Sequence, residues 1–276
     1  MTTFLIQLTD LHIRAPGCLT YRRIDAAAYL KRAVDSVLSL PQTPHAIVIS
    51  GDLTDFGRAE EYANLRTLLE PLNPLPLYLM PGNHDDRDAL RAAFPDHAYL
   101  GQEGFIQYAV DIGALRLIAL DTLVPGRSEG MLCADRLDWL AQQLAASGER
   151  PVVIALHHPP FQTLIGHMDA IGLQQGAQAL EDLVRAHPNV ARVISGHLHR
   201  SIQVGFGGSV ATTAPSVAHQ VCLDLAPDAA SAWTLEPPGF MVHALPDDGR
   251  LVSHTQASGH FDGPYPFWDE NGALID

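Results

Sequence analysis

Short apolar runs recur along the chain, and segments with a helical pattern lie between several of them. Each run has the length and composition of a buried β-strand, at residues 4–8, 46–50, 77–80, 115–120, 151–156 and 191–195. Four other segments place their apolar residues on one helical face, at 30–38, 65–72, 137–144 and 180–184. Strands and helices in alternation predict an α/β protein whose sheets are covered by helices.

The pattern changes after Ser201, where the helical period fades. Short segments punctuated by Gly, Pro and Asp indicate antiparallel strands joined by turns, at 201–206, 209–214, 239–245 and 250–255. The stretch from His260 onward, which is rich in Pro, Tyr, Phe and Trp, is predicted to be an extended arm.

Length and charge narrow the class of protein. The 276 residues suffice for one large domain with a sizeable core. A formal net charge of -14 disfavours nonspecific binding to nucleic acid or to an anionic membrane, because both depend on basic patches. The three cysteines form no C-x-x-C pair, which argues against a disulfide framework and a thiolate zinc site. With no basic leader and no apolar window as long as a membrane span, the chain is predicted to be cytoplasmic.

Five of the apolar runs end in motifs rich in Asp, Asn and His. These motifs are TDLH at 9–12, SGDLTD at 50–55, PGNHDD at 81–86, LHHPP at 156–160 and SGHLH at 195–199. The carboxyl ends of parallel strands border the ligand crevice in open α/β sheets, so all five motifs can converge. In an extended backbone, residues i and i+2 point to the same side, which would let Asp10 and His12, and likewise His197 and His199, address one centre or two adjacent centres.

The donor atoms of these motifs indicate a metal site. Carboxylate oxygens, a carboxamide oxygen and imidazole nitrogens, without thiolates, suit zinc, manganese, iron or cobalt. Each motif taken singly has another interpretation, because Ser, Gly, Asn and Asp are also turn residues. Five such motifs in order, each after an apolar run, favour a shared site.

Taken together, the motifs D-x-H, G-D, G-N-H-D, H and G-H-x-H resemble those of the calcineurin-like metallophosphoesterase superfamily over residues 3–200. The resemblance implies a four-layer αββα sandwich with a C-terminal cap or dimerisation extension, and two divalent or trivalent metal ions (Fe, Mn, Zn or Co). It implies that the ligands of one ion are Asp10, His12, Asp52 and His199, and that those of the other are Asp52, Asn83, His157 and His197. Asp52 would bridge the two ions, and the H-x-P spacing selects His157 over His158, which is left a packing or supporting role.

The same resemblance implies substrate contacts by Asn83 and His84. In the family, the His of GNHD faces the substrate phosphate and can assist the leaving group, although His84 could instead only fix its loop. Asp85 and Asp86 are predicted to cap the helix that follows. The chain looks most like the bacterial glycerophosphodiesterase and class III cyclic nucleotide phosphodiesterase group, in which a His at the position of His219 lies near the substrate; a core or surface role is its alternative.

Membership of that group would make the chain a metal-dependent phosphodiesterase that hydrolyses small, glycerophosphodiester-like substrates with a metal-activated hydroxide. A 3',5'-cyclic nucleotide phosphodiesterase is the alternative. A nuclease is disfavoured because basic, aromatic-rich tracts are lacking, and a non-catalytic scaffold because every ligand position is filled. Residues 1–200 are expected to form the dinuclear core, and residues 201–276 to complete the second sheet and supply a cap or oligomerisation arm. The expected partners are a small phosphodiester and further copies of the chain, in a dimer or larger assembly, and neither a nucleic acid polymer nor a membrane.

Overall fold

The computed structural model describes residues 1–275, in which short strands alternate with helices. The strands are β1 Thr3–Leu8, β2 Ala46–Ser50, β3 Leu77–Met80, β4 Tyr108–Ile112, β5 Leu115–Leu120, β6 Gly130–Met131, β7 Val152–Leu156, β8 Leu173–Gln175, β9 Val190–Ser195, β10 Ile202–Phe206, β11 Ser209–Thr213, β12 Gln220–Val221, β13 Trp233–Thr234, β14 Gly239–Leu245 and β15 Val252–Ala257. The helices are α1 Ala26–Leu38, α2 Ala59–Leu69, α3 Arg87–Ala93, α4 Ala134–Ala146, α5 Gly166–Asp169 and α6 Ala177–Ala186, with 3-10 turns at Glu70–Leu72 and Ala98–Leu100.

The strands form two large sheets. One has five strands in the order β15-β14-β1-β2-β3, and the other has six in the order β10-β11-β9-β7-β5-β4. Strands β1, β2 and β3 are parallel, as are β5, β7, β9 and β11, whereas β14, β4 and β10 pair antiparallel with their neighbours. All five strands that precede the polar motifs therefore lie inside parallel arrays.

Successive side chains of β5 point to opposite faces of the six-stranded sheet, and each face packs against its own apolar layer. Leu117 and Ala119 join a core cluster that includes residues of β1, β2, α1 and α2. Ile118 and Leu120 point the other way and join a cluster with residues of α4 and α6. Helices thus cover the outer face of each sheet, and the predicted four-layer αββα sandwich is confirmed.

A buried glutamine connects the two sheets close to the motifs. The side-chain amide nitrogen of Gln7, on β1, donates to Ser50 Oγ at 2.9 Å and to the Ser195 carbonyl at 3.0 Å. Ser50 ends β2 and Ser195 ends β9, so this one side chain fixes the ends of three strands relative to one another. A buried polar group that is fully paired gives such a junction a single arrangement.

The segment after residue 200 contributes strands to both large sheets. Strands β10 and β11 extend the six-stranded sheet beside β9, but β14 and β15 extend the five-stranded sheet beside β1. The reason is that β1 would otherwise present an open edge, and β14 covers it while burying Phe240 in the core. The sequence analysis also did not predict β4, at the edge of the second sheet.

Residues 261–275 form neither a helix nor a regular strand, and the large side chains of this stretch face solvent. Tyr265, Phe267 and Trp268 are 70%, 78% and 59% exposed. An isolated bridge joins Trp268 and Leu274. The role of this stretch as a cap or oligomerisation arm stays a prediction.

Among residues 1–275, no helix combines the length and the apolar character needed to cross a membrane.

Candidate metal centre

The five polar motifs meet at one edge of the sandwich, and all seven residues predicted to bind metal lie in one buried cluster. Asp52 is central to it: its Oδ2 lies 3.3 Å from His157 Nε2 and 3.6 Å from His12 Nε2. On one side of the cluster, His199 Nε2 lies 3.2 Å from His12 Nε2 and 3.4 Å from Asp10 Oδ1.

The other side of the cluster contains Asn83, His157 and His197. Asn83 Oδ1 lies 3.1 Å from His157 Nε2. His197 is 3% exposed, and its Nε2 has no hydrogen-bond partner within the described part of the chain. An unpaired buried imidazole nitrogen costs free energy unless a ligand satisfies it.

Five of these seven residues have a left-handed backbone, with φ between 46° and 67°, namely Asp10, His12, Asp52, His197 and His199. The expectation that the D-x-H and H-x-H pairs converge because their backbone is extended is therefore wrong. Each strand has already ended, and the chain turns sharply at these positions, so the side chains converge through tight turns. Asp, Asn and His tolerate this region better than most residues, although it costs about 1–2 kcal/mol per residue.

Backbone hydrogen bonds hold these turns together. The N–H groups of Leu11 and His12 both donate to the carbonyl of Asp52, at 2.8 and 3.0 Å. The His197 N–H donates to the carboxylate of Asp10 at 3.0 Å. The turn after β2 thus accepts from the turn after β1, and the turn after β1 accepts from the turn after β9, so the three turns are joined in a chain.

Glycine is required beside two of the predicted ligand positions because the loops approach each other so closely. A Cβ on Gly82, next to Asn83, would overlap both the backbone nitrogen and Oδ1 of Asp52. A Cβ on Gly196, next to His197, would overlap Thr9 Oγ1. The glycines of PGNHDD and SGHLH are therefore part of the site, since only they let three loops pack at this distance.

Three histidines are held by their Nδ1 atoms so that Nε2 faces the cluster. Nδ1 of His157 donates to the Ser50 carbonyl at 2.9 Å, and Nδ1 of His199 donates to the His219 carbonyl at 3.0 Å. His84 does the same with the Asp55 carbonyl, at 2.8 Å. In the neutral ring the proton then lies on Nδ1 and the Nε2 lone pair is free, which is the state that binds a metal ion.

The charges of the cluster are strongly coupled. Burial raises the pKa of Asp52, but the neighbouring His157, His84 and His12 outweigh it and hold that pKa well below the usual range. Burial lowers the pKa of His157, but the negative charge of Asp52 outweighs burial and raises that pKa to about 9. Burial dominates at His197 and lowers its pKa. Protonated imidazoles can neutralise the Asp52 carboxylate, and a metal cation bound at the same place can neutralise it instead of those protons.

The donor set and its spacing fit metal ions. The ligand atoms of Asp10, His12 and Asp52 lie within 4.8 Å of one another, as do those of His157, His158 and His197. Both ring nitrogens of His158 are already used, since Nδ1 lies 2.7 Å from Thr122 Oγ1 and Nε2 lies 3.1 Å from the Ser128 carbonyl. His158 therefore fixes a neighbouring loop, and its position is consistent with His157 as the ligand.

Asp55 is a site residue to which the sequence analysis gave no role. Its Oδ1 lies 3.3 Å from His12 Nδ1, and its Oδ2 accepts from Arg14 at 3.1 Å. Its carbonyl holds His84, as described above. The only signal in the sequence was its place in the motif SGDLTD, because the turn that brings it back to His12 is tertiary.

The two acids of GNHDD have different roles. Asp86 is the N-cap of α3, as predicted, and accepts from the Ala89 N–H at 2.8 Å. Asp85 does not cap the helix, which corrects the prediction; it is buried and accepts from the N–H groups of Leu53 and Gly82 at 3.0 and 2.9 Å. Burial, followed by repulsion from Asp52, raises the pKa of Asp85 to about 6.

The cluster opens into a cavity of about 270 Å³. Its walls include His84, His219, Tyr21, Trp233 and Ser128, of which the sequence analysis singled out only the two histidines. The rings of Tyr21 and Trp233 are stacked, with centroids 5.7 Å apart, and His219 packs edge-on against both. Trp233 lies on β13, far from the motifs in sequence, so no local pattern could have placed it here.

Comparison with known protein families is consistent with this architecture. The family model described as calcineurin-like phosphoesterase matches residues 5–201. The chain therefore belongs to the calcineurin-like phosphoesterase family, as its motifs predicted, and this membership implies divalent metal ions.

Individual relatives match almost the whole chain. A protein of Arcobacter nitrofigilis described as a probable glycerophosphodiester phosphodiesterase is 34% identical over 272 residues, which cover 99% of each chain. A 3',5'-cyclic adenosine monophosphate phosphodiesterase of Pseudomonas aeruginosa is 32% identical, over 91% of this chain and 88% of that protein. A dimetal phosphatase of Danio rerio shares the fold, with a TM-score of 0.67, 17% identity and coverage of 93% and 96%.

The close approach of Gly82 to Asp52 gives a direct test of the cluster. We expect Gly82→Ala to displace the Asp52 carboxylate and to weaken metal binding by about 10-fold or more. Gly205→Ala is the matched control, because a Cβ there meets no atom within 4 Å. Metal content after equilibrium dialysis is the measurement, and equal metal content in the two variants would contradict the predicted role of the glycine.

Proposed function

We propose that the protein is a metal-dependent phosphodiesterase that hydrolyses small diesters of the glycerophosphodiester type. The observation that carries this proposal is a buried Asp, Asn and His cluster at the floor of a cavity of about 270 Å³. A cavity of this size suits a small molecule. The similarity over 99% of both chains to a described glycerophosphodiester phosphodiesterase supports the same substrate class.

Two ions are proposed, with Asp52 between them. Asp10, His12 and His199 would hold one ion together with Asp52, and the other ligands of the second would be Asn83, His157 and His197. When bound, such ions neutralise charge on the phosphoryl oxygens and lower the pKa of water towards about 7. The donor atoms suit iron, manganese, zinc or cobalt.

We propose that His84 acts on the leaving group, and its contacts support this role. Its Nδ1 is fixed by the Asp55 carbonyl, while its Nε2 lies 4.0 Å from Asp52 Oδ2, at the edge of the cluster. Its side chain lines the cavity and is 34% exposed, whereas the histidines proposed as ligands are buried. When both ring nitrogens carry protons, a ring oriented in this way can pass the Nε2 proton to the oxygen that departs from phosphorus, and Nδ1 stays bound to the Asp55 carbonyl.

His219 and Asn83 would contact the substrate from the remaining walls. His219 is buried and its Nδ1 has no hydrogen-bond partner within residues 1–275. Burial, followed by the neighbouring His199 and His12, lowers the pKa of His219, so the ring is neutral at pH 7. A neutral imidazole can hydrogen-bond a hydroxyl of the alcohol part of the diester without adding charge.

The aromatic wall of the cavity favours a second candidate, a 3',5'-cyclic nucleotide phosphodiesterase. Tyr21 and Trp233 present ring faces and edges on which a nucleobase could stack. The similarity to the Pseudomonas aeruginosa enzyme supports this alternative. Nucleic acid polymers remain disfavoured as substrates by the net charge of -14.

A substrate panel separates these candidates. Protein loaded with one defined metal at a time would be assayed on glycerophosphoethanolamine, glycerophosphocholine, 3',5'-cyclic AMP and a phosphomonoester. We expect the highest kcat/KM for the glycerophosphodiesters and loss of activity in Asp52→Ala, together with most of the bound metal. Faster hydrolysis of cyclic AMP would favour the alternative, and a preference for the monoester would contradict the diesterase proposal.

The proposed role of His84 depends on the leaving group. For an alkyl diester, whose alkoxide is a strong base, His84→Ala should lower kcat/KM by about 100-fold or more. Hydrolysis of a nitrophenyl diester should fall much less, because nitrophenolate departs with little need of a proton. The measurement is the pair of kcat/KM ratios at saturating metal, with metal content checked in each preparation. Equal losses on both substrates, with a fall in bound metal, would instead assign His84 to fixing its loop.

Self-association through the segment after residue 201 is expected from the exposed tail. Phe267 and Trp268 present apolar surface that would limit solubility in an isolated monomer. Light scattering at micromolar concentration should report a dimer or a larger assembly, and the double variant Phe267→Ser, Trp268→Ser should shift it towards the monomer. Leu164→Ser, which changes an exposed residue elsewhere in the sequence, is the control. A wild-type protein that is only monomeric would refute the expectation.

A further inference from the structure

Asp85 occupies the junction between the two loops that carry Asp52 and Asn83. Its Oδ2 accepts from the Leu53 N–H at 3.0 Å and from the Gly82 N–H at 2.9 Å. Leu53 follows Asp52 directly, and Gly82 precedes Asn83 directly. One oxygen atom therefore joins the backbones next to two residues of the cluster.

The second oxygen of Asp85 is equally occupied. Oδ1 accepts from the N–H and the hydroxyl of Thr54, at 3.2 and 3.3 Å, and from the Tyr62 hydroxyl at 2.8 Å. Tyr62 is fully buried on α2, and its hydroxyl oxygen also accepts from the Asp86 N–H at 3.0 Å. The helix, the loop after β2 and the loop after β3 are thus connected through one carboxylate.

An ionised carboxylate suits this position and an amide does not. All five groups that face Asp85 are donors, and a carboxylate offers only acceptor sites, about four of them. In the amide of an Asn, one of the two oxygens becomes an NH₂ group that would face donors. Buried donors would then lose their acceptor, and the two loops would move apart to relieve the contact.

We propose that Asp85 is a positioning residue that sets the separation of Asp52 and Asn83 and thereby the affinity of the metal site that these two residues share. This inference rests on the proposed function, because that proposal makes Asp52 and Asn83 ligands of the same ion. Asp85 itself is not proposed as a ligand. Its backbone and hydroxyl donors use both of its oxygens, so it acts through the loops.

The neighbouring acid provides a matched control. Asp86→Asn removes the same charge one residue further along, and Asn is as good an N-cap as Asp. Asp86 accepts from Ala89 within its own helix. A change seen in Asp85→Asn but not in Asp86→Asn therefore arises from the contacts of Asp85 and not from the loss of a negative charge near the centre.

The test is a calorimetric titration of metal-free protein with Mn²⁺ and, separately, with Zn²⁺. In Asp85→Asn the affinity of one of the two sites should fall by about 10- to 100-fold, the range seen when groups that orient metal ligands are removed. The affinity of the other site should change by less than about 3-fold, as should both affinities in Asp86→Asn. A merely structural role would lower the thermal stability and weaken both sites alike, so unequal losses are the distinguishing result.

A milder variant keeps the proposal testable if Asp85→Asn does not fold. Tyr62→Phe removes one of the five donors and the support from α2, and it should weaken the same site by a few fold. Unchanged affinities in the folded Asp85→Asn protein, or in Tyr62→Phe when Asp85→Asn is unfolded, would overturn the proposal.

Asn83→Ala distinguishes a failure of this inference from a failure of the proposed function. If Asn83→Ala weakens one site and Asp85→Asn does not, only the role of Asp85 is wrong. If Asn83→Ala leaves both affinities unchanged, the ligand assignment itself is wrong and the inference falls with it.

Discussion

The site depends on a backbone constraint at the strand ends. Five residues of the cluster adopt left-handed φ values at about 1–2 kcal/mol each, and this cost is tolerable only where the surroundings fix the conformation. Backbone hydrogen bonds provide this, because the turn after β1 donates to the Asp52 carbonyl and the turn after β9 donates to the Asp10 carboxylate. Consequently, the residues proposed as ligands are preorganised by the fold, and a metal ion that enters the cluster would not have to order the loops itself.

The same loops bring charged side chains together in the interior of the protein, where an unpaired charge would be strongly destabilising. Asp52 is stabilised as an anion by three histidines, while burial opposes the charging of His197 and His199. In this respect the centre favours cations over protons, because a multivalent ion satisfies the carboxylates and the free imidazole nitrogens together. An acidic protein can thus bind an anionic phosphodiester, since the local cationic centre matters more than the net charge.

Buried acids outside the ligand set organise the site through hydrogen bonds. The Asp55 carboxylate lies 3.3 Å from His12 Nδ1, and the Asp55 carbonyl accepts from His84 Nδ1, so Asp55 contacts both a proposed ligand and the proposed acid. Asp85 joins the loops on either side of the centre. Gln7 connects the two sheets beneath it. In each case a paired buried polar group specifies one arrangement of segments that are distant in sequence.

The sequence by itself determined the order of the main strands and helices and the identity of the chemical groups at the strand ends. Apolar runs and turn residues are local signals, so β1, β2, β3, β5, β7 and β9 and the motifs that follow them could be predicted. The tertiary structure alone decided that β14 pairs with β1, that Asp85 faces the loops and not its own helix, and that Trp233 lines the cavity. It also decided that five of the residues proposed as ligands turn inward through left-handed backbone. These features arise from contacts between segments far apart in the chain, whose energies depend on which surfaces remain open after the sheets have packed, and no local pattern of residues carries that information.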